Sequence, residues 1–200
     1  ATEPAMHRLT RLLTTLFAAL LLSTSALATE LTDQSIQQWI GAYKDVLAFC
    51  NEKDRKDLEF MNEPVTPDMA NLFTTAITRM QGQPIYSDFA GVLSKHNYKN
   101  PLDWAGQGDR IMAATMAVQL DRTGNGNITA DQRARMQLAL QGMQNNPNLT
   151  PQQKAQMQQL MGLGNQMIDV AQKVPPADKA AVQRNEALIR SIMVDARPKN

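Results

Sequence analysis

From Ile36 to Met193 the apolar residues of this chain return every third or fourth position, and no stretch alternates apolar with polar as a half-buried strand must. Pro, Gly or a cap-forming Thr interrupts each periodic segment. A chain patterned this way buries its stripes helix against helix. The pattern predicts an all-α single domain of six or seven helices joined by short capped loops.

The segments can be placed in order. Leu31-Thr32-Asp33 opens a first helix with Ile36, Trp39, Ile40, Tyr43, Val46 and Leu47 on one face. In the run that follows, Glu52/Lys56, Lys53/Asp57 and Arg55/Glu59 lie four apart, the spacing that supports an exposed helix, before Leu58, Phe60 and Met61 turn inward. Val65-Thr66-Pro67-Asp68 starts the next helix, Ile85 a shorter one that stops at His96 to Asn100, and Asn100-Pro101 a long one carrying Trp104. Trp104 is expected in the core, with Gly106 and Gly108 letting another backbone come close. A helical hairpin is expected from Ala130 to about Val174. Its second helix has two adjoining stripes, Met157/Met161/Ile168 and Leu160/Leu163/Met167/Val170, which makes it broad-faced and central to the bundle. After Pro175-Pro176 one last helix should run from Ala177 to about Asp195.

The first 28 residues have a different purpose. His7, Arg8 and Arg11 precede the apolar run Leu12 to Leu22, and Ala26-Leu27-Ala28 gives the small-x-small pattern of a signal-peptidase site. Met6 reads as the initiator, with Ala1 to Ala5 an upstream extension. Cleavage after Ala28 leaves a helical domain over 29–200 that is periplasmic or secreted. The apolar run is shorter than the ~20 residues that span a bilayer, so no integral membrane segment is expected after cleavage. Lys and Arg number 20 and Asp and Glu 19. Loss of Arg8, Arg11 and Glu3 with the leader balances the two signs, which argues against nucleic acid as a partner. Cys50 is the single cysteine, so no intrachain disulfide can form; it reads as a small buried hydrophobe or as one half of an intermolecular bridge.

Between the long helix and the hairpin lies Leu120 to Gln132, which reads L-D-R-T-G-N-G-N-I-T-A-D-Q. As a turn, Gly124 to Asn127 supplies residues that tolerate positive φ, and Thr129 caps the following helix. The same residues resemble the twelve-residue calcium loop of EF-hand proteins. Asp121, Thr123, Asn125, Asn127 through its carbonyl, Thr129 and Gln132 fall in the ligand positions, with Gly126 on the sharp turn and Ile128 on the apolar position. Thr123 stands where that family has an acid, Gln132 where it has a bidentate Glu, and Arg133 where it has an apolar residue. The resemblance therefore implies weak calcium binding carried by one carboxylate, and no other cofactor is expected.

Ile128-Thr129-Ala130-Asp131-Gln132 and Leu149-Thr150-Pro151-Gln152-Gln153 both fit L-T-x-x-Q, with Ile for Leu in the first. Asn125 to Leu140 laid over Asn146 to Met161 repeats Asn, Asn, Thr, Gln, Ala, Met and Gln at matching places, a duplicated turn and helix start. Over about residues 125 to 165 this resembles the Spy/CpxP-type periplasmic helical proteins, and it implies a chaperone-like binding role with a protein or peptide partner.

Catalytic chemistry has little to stand on. His96, the one histidine after the leader, has no Cys or second His beside it, and there is no glycine-rich phosphate loop or nucleophile motif. Met112/Met116 and Met157/Met161 sit four apart, a spacing that suits either Cu(I) or an irregular helical core. Three functions stay open: a non-catalytic exported binding or chaperone-like protein, a weakly calcium-modulated helical protein, and an enzyme of unknown class.

Overall fold

Two tryptophans mark the centre of the molecule. In the computed structural model, which describes residues 30–53, 57–62, 68–124 and 129–195, Trp39 and Trp104 stack with centroids 5.6 Å apart. Trp39 donates its Nε1–H to the Trp104 carbonyl at 3.0 Å. Tyr43 stacks on Trp39, and Phe73 meets both indoles edge-on, the geometry aromatic quadrupoles favour. Gly108 makes room for the cluster: a Cβ there would lie 2.8 Å from Trp39 and 2.9 Å from Phe73. The close approach expected at this glycine is thus made by rings and not by backbone, while Gly106 faces open space.

Around the cluster the described residues form eight α-helices and no strand. They are α1 (Asp33–Glu52), α2 (Leu72–Met80), α3 (Tyr86–Ser94), α4 (Pro101–Arg122), α5 (Ala130–Gln144), α6 (Pro151–Gln172), α7 (Pro176–Arg184) and α8 (Glu186–Asp195), with a 3-10 turn at Glu59–Asn62. All belong to one compact unit, Leu31–Asn200. Residues 1–29, where the leader is expected, lie outside the described residues, and no described helix is long and apolar enough to cross a membrane.

The hub is α4, which packs on α1, α2, α3, α6 and α7. Its buried face is rich in small residues, Ala105, Gly108, Ala114 and Ala117, so neighbours come in close. This corrects the expectation that α6 is central. Of all the apolar residues on α6 only Ala171 is buried, while Met157, Met161, Leu163, Met167, Ile168 and Val170 are half-buried.

Several helix boundaries are set by distant residues. α2 starts at Leu72 and not near Pro67: Asn71 provides no side-chain cap, and buried Asp109 of α4 accepts the Phe73 and Thr74 amides at 2.7 and 3.1 Å instead. The expected last helix is two, because Asn185 leaves the helical path to donate to Asp33 of α1 and to the Ala181 carbonyl. α1 stops at Glu52, so Lys53 makes no helical pair with Asp57. Its ammonium turns to Asp88 at 3.0 Å and sits over the Phe49 ring. Leu58 and Phe60 do turn inward, but Met61 is exposed. The turn after α3 closes on Asn97 at φ 64°, with the Tyr98 amide donating back to the Leu93 carbonyl, a left-handed helix stop that buries Tyr98.

Candidate binding surface

α5 and α6 form the hairpin expected from the sequence, and they differ from the rest of the fold in what they leave in solvent. No described side chain of α5 is buried, and in α6 burial begins only at Ala171. Leu138 is 67% exposed and Leu160 68%, and Met143 is exposed as well. A helix serving only the core would turn its apolar residues inward. α5 packs on α6 through a narrow seam near the hairpin tip, lined by Leu140, Met143, Leu149 and Met157. At the opposite end Arg133 spans the two helices, donating to Asp169 at 3.0 Å and Gln172 at 2.5 Å. Arg133, a misfit in the calcium-loop alignment, is thus the clamp at the base of the arm. Sequence reasoning passed over Leu138 altogether, since a single exposed leucine gives no periodic signal.

The two L-T-x-x-Q segments start the two helices of this arm, and each is a reciprocal cap. Thr129 Oγ1 accepts from the Gln132 amide at 3.2 Å, and Gln132 Oε1 accepts from the Thr129 amide at 2.8 Å. Thr150 and Gln153 repeat this at 3.2 and 2.9 Å. Two of the amides left over at each helix start are satisfied in this way. A third box, Thr32 with Ser35, opens α1.

The described part of the central loop is also engaged with the protein itself. Asp121 accepts from Lys179 at 2.9 Å, Thr123 donates its hydroxyl to the Leu120 carbonyl at 3.0 Å, and Gly124 takes φ +75°. Thr129 and Gln132 hold the cap just described, while Asn125 and Asn127 lie outside the described residues. Among the described residues no group of three or more His, Cys, Asp or Glu could hold a metal ion. An ion at Asp121 would have to displace the Lys179 ammonium and pull Gln132 out of its cap. Calorimetry should therefore find calcium binding no tighter than about 10⁻³ M, the weak end of extracellular sites. Gln132→Glu should strengthen that binding and Asp121→Ala abolish it. A micromolar constant for the native chain would contradict the expectation.

His96 has a partner that sequence spacing could not supply: Asp45 of α1, 2.7 Å from its Nε2. The Gln38 amide donates to the His96 carbonyl, which makes the pair a strut between α1 and the turn after α3. Cys50 is half-buried against the core as a free thiol, and burial pushes its pKa up, away from reactivity. Met112, Met116, Met157 and Met161 are all half-buried. Between α4, α6 and α7 an open cleft of about 230 Å³ is lined by Arg110, Val170, Lys173, Val174 and Asp178. Its one acid, Asp178, is used structurally by Arg110 and the Leu31 amide.

One charge cluster, between the end of α4 and α8, is expected to respond to acid. Glu186, at the start of α8, accepts from Arg122 at 2.6 and 2.5 Å and from Arg190 at 2.6 Å, and the Arg122 hydrogen bonds above all hold its carboxyl at about 2 instead of the ordinary 4.5. A carboxyl with a depressed pKa stabilises the fold above its unfolded value and loses that contribution as pH falls towards the folded one. Urea midpoints should drop between pH 4.5 and 2, the span of these two values, and Glu186→Gln should flatten that part of the profile. An identical acid profile in the variant would remove Glu186 from the account.

Comparison with known proteins gives no match: no family model, no curated protein and no solved structure aligns with the chain.

Proposed function

We propose that this is a non-catalytic, exported helical binding protein of the bacterial envelope that holds unfolded polypeptide on its α5–α6 arm, a chaperone-like role. The observation that carries the reading is the solvent exposure of Leu138 and Leu160 on a hairpin that contributes almost nothing to the core. Unbranched Met and Leu in a Gln-rich setting suit loosely defined apolar partners, because flexible side chains can repack on different sequences. The chain is uncharged from Met136 to Gln153 and again from Ala155 to Ile168, so the arm repels neither acidic nor basic clients. The leader and the L-T-x-x-Q segments at both helix starts favour the same reading.

Protein recovered from the periplasm of an expressing bacterium should begin at Thr29 by intact mass. At near-stoichiometric ratio, without ATP, it should suppress light scattering by a denatured client. A species that keeps Leu12 to Leu22 would overturn export, and undiminished scattering at several-fold excess would overturn the holding role.

A further inference from the structure

The face of α6 that α5 covers is held by a short seam and one clamp. α5 seats Leu140 and Met143 against Leu149 and Met157, and Arg133 tethers it through a hydrogen bond to Gln172 and an ion pair with Asp169 whose two side chains are 42% and 53% exposed. Nothing described in α5 is fully buried, so little holds it down: exposed ion pairs are weak, and a helix of 15 residues is marginal on its own. We infer that this face of α6 is a helix-binding groove, and that an amphipathic helical segment of a client displaces α5 from it. The inference rests on the holding role proposed above and names the client chemistry. The groove takes a basic residue against Asp169 and, from the third position after it, an uncharged segment with large apolar residues at the seventh and tenth, as Arg133, Met136 to Gln144, Leu140 and Met143 are placed in α5.

The probe is a fluorescent synthetic peptide of residues 129–145, added to the full chain and followed by anisotropy. Saturable binding is expected. Arg133→Ala made in the peptide should weaken it by roughly two- to fivefold, the range of an exposed ion pair. The same substitution made in the protein should strengthen peptide binding, because it loosens the internal competitor and frees Asp169. Opposite signs from one substitution are the signature of exchange at one groove; a merely sticky surface gives none. A second variant, Leu140→Cys with Met157→Cys in a Cys50→Ser background, joined by a short bismaleimide, should lose peptide binding. No saturable binding, equal signs, or full binding by the cross-linked chain would overturn the groove. Peptide exchange without suppression of client aggregation would overturn the holding role alone, and suppression without peptide exchange would overturn the groove alone.

Discussion

Trp39→Ala should destabilise the protein by about 3–5 kcal/mol, the range for emptying a buried tryptophan site. Trp39 is 1% exposed, its ring touches Tyr43, Phe73 and Trp104, and its Nε1–H is the donor to the Trp104 carbonyl. Removing it opens a void beside Gly108, where the absent Cβ means α4 has nothing to fill the gap. It also leaves a buried carbonyl without its side-chain donor. A domain of this size has about 5–15 kcal/mol in total, so the variant should unfold at markedly lower urea while keeping a cooperative transition. Trp39→Phe keeps part of the stack and loses the hydrogen bond, and its midpoint should fall between the other two. A midpoint for Trp39→Ala within error of the native value would show that the aromatic cluster does not hold the helices together.

Asp178→Ala should cost about 3 kcal/mol, the low end for breaking a buried ion pair. The carboxylate is 2% exposed and ties three parts of the chain. Its Oδ1 accepts the Leu31 amide at 2.9 Å, and its Oδ2 accepts from Arg110 Nε and Nη2 at 3.2 and 2.7 Å. Alanine leaves the Leu31 amide without the Asp178 acceptor and removes the two hydrogen bonds that Arg110 donates to this carboxylate. The low end applies because the Arg110 side chain is 29% exposed, and water can take over part of its hydration. Asp178→Asn retains an acceptor, so equilibrium unfolding should rank native, Asn, then Ala. Equal losses for Asn and Ala would mean that charge alone matters and the Leu31 hydrogen bond contributes nothing.

Both positions mark how far sequence reasoning reaches. The face of α1 was legible because Ile36, Trp39, Ile40 and Val46 obey the helical period and are buried. The Thr caps of α5 and α6 were legible because a capping box is local, with both partners inside four residues. Asp109 and Asp178 were not, because a carboxylate that caps or pairs across the fold looks in sequence like any surface acid on a helix. The rank of α4 and α6 was misread for a related reason. Apolar count favours α6, but centrality depends on small residues that admit neighbours, and a run of Ala and Gly gives a weak periodic signal. On the arm, Leu160 lies by its spacing on one stripe with Leu163, Met167 and Val170, yet those three are half-buried while Leu160 stays 68% exposed.

The most direct test of the binding role is the double variant Leu138→Ser with Leu160→Ser, assayed beside the native protein for suppression of client aggregation. Both positions are solvent-exposed, so each should change stability by less than about 0.5 kcal/mol, and the thermal midpoint should stay close to native. The account predicts that suppression falls sharply while that midpoint holds. Undiminished suppression by the folded double variant would contradict it.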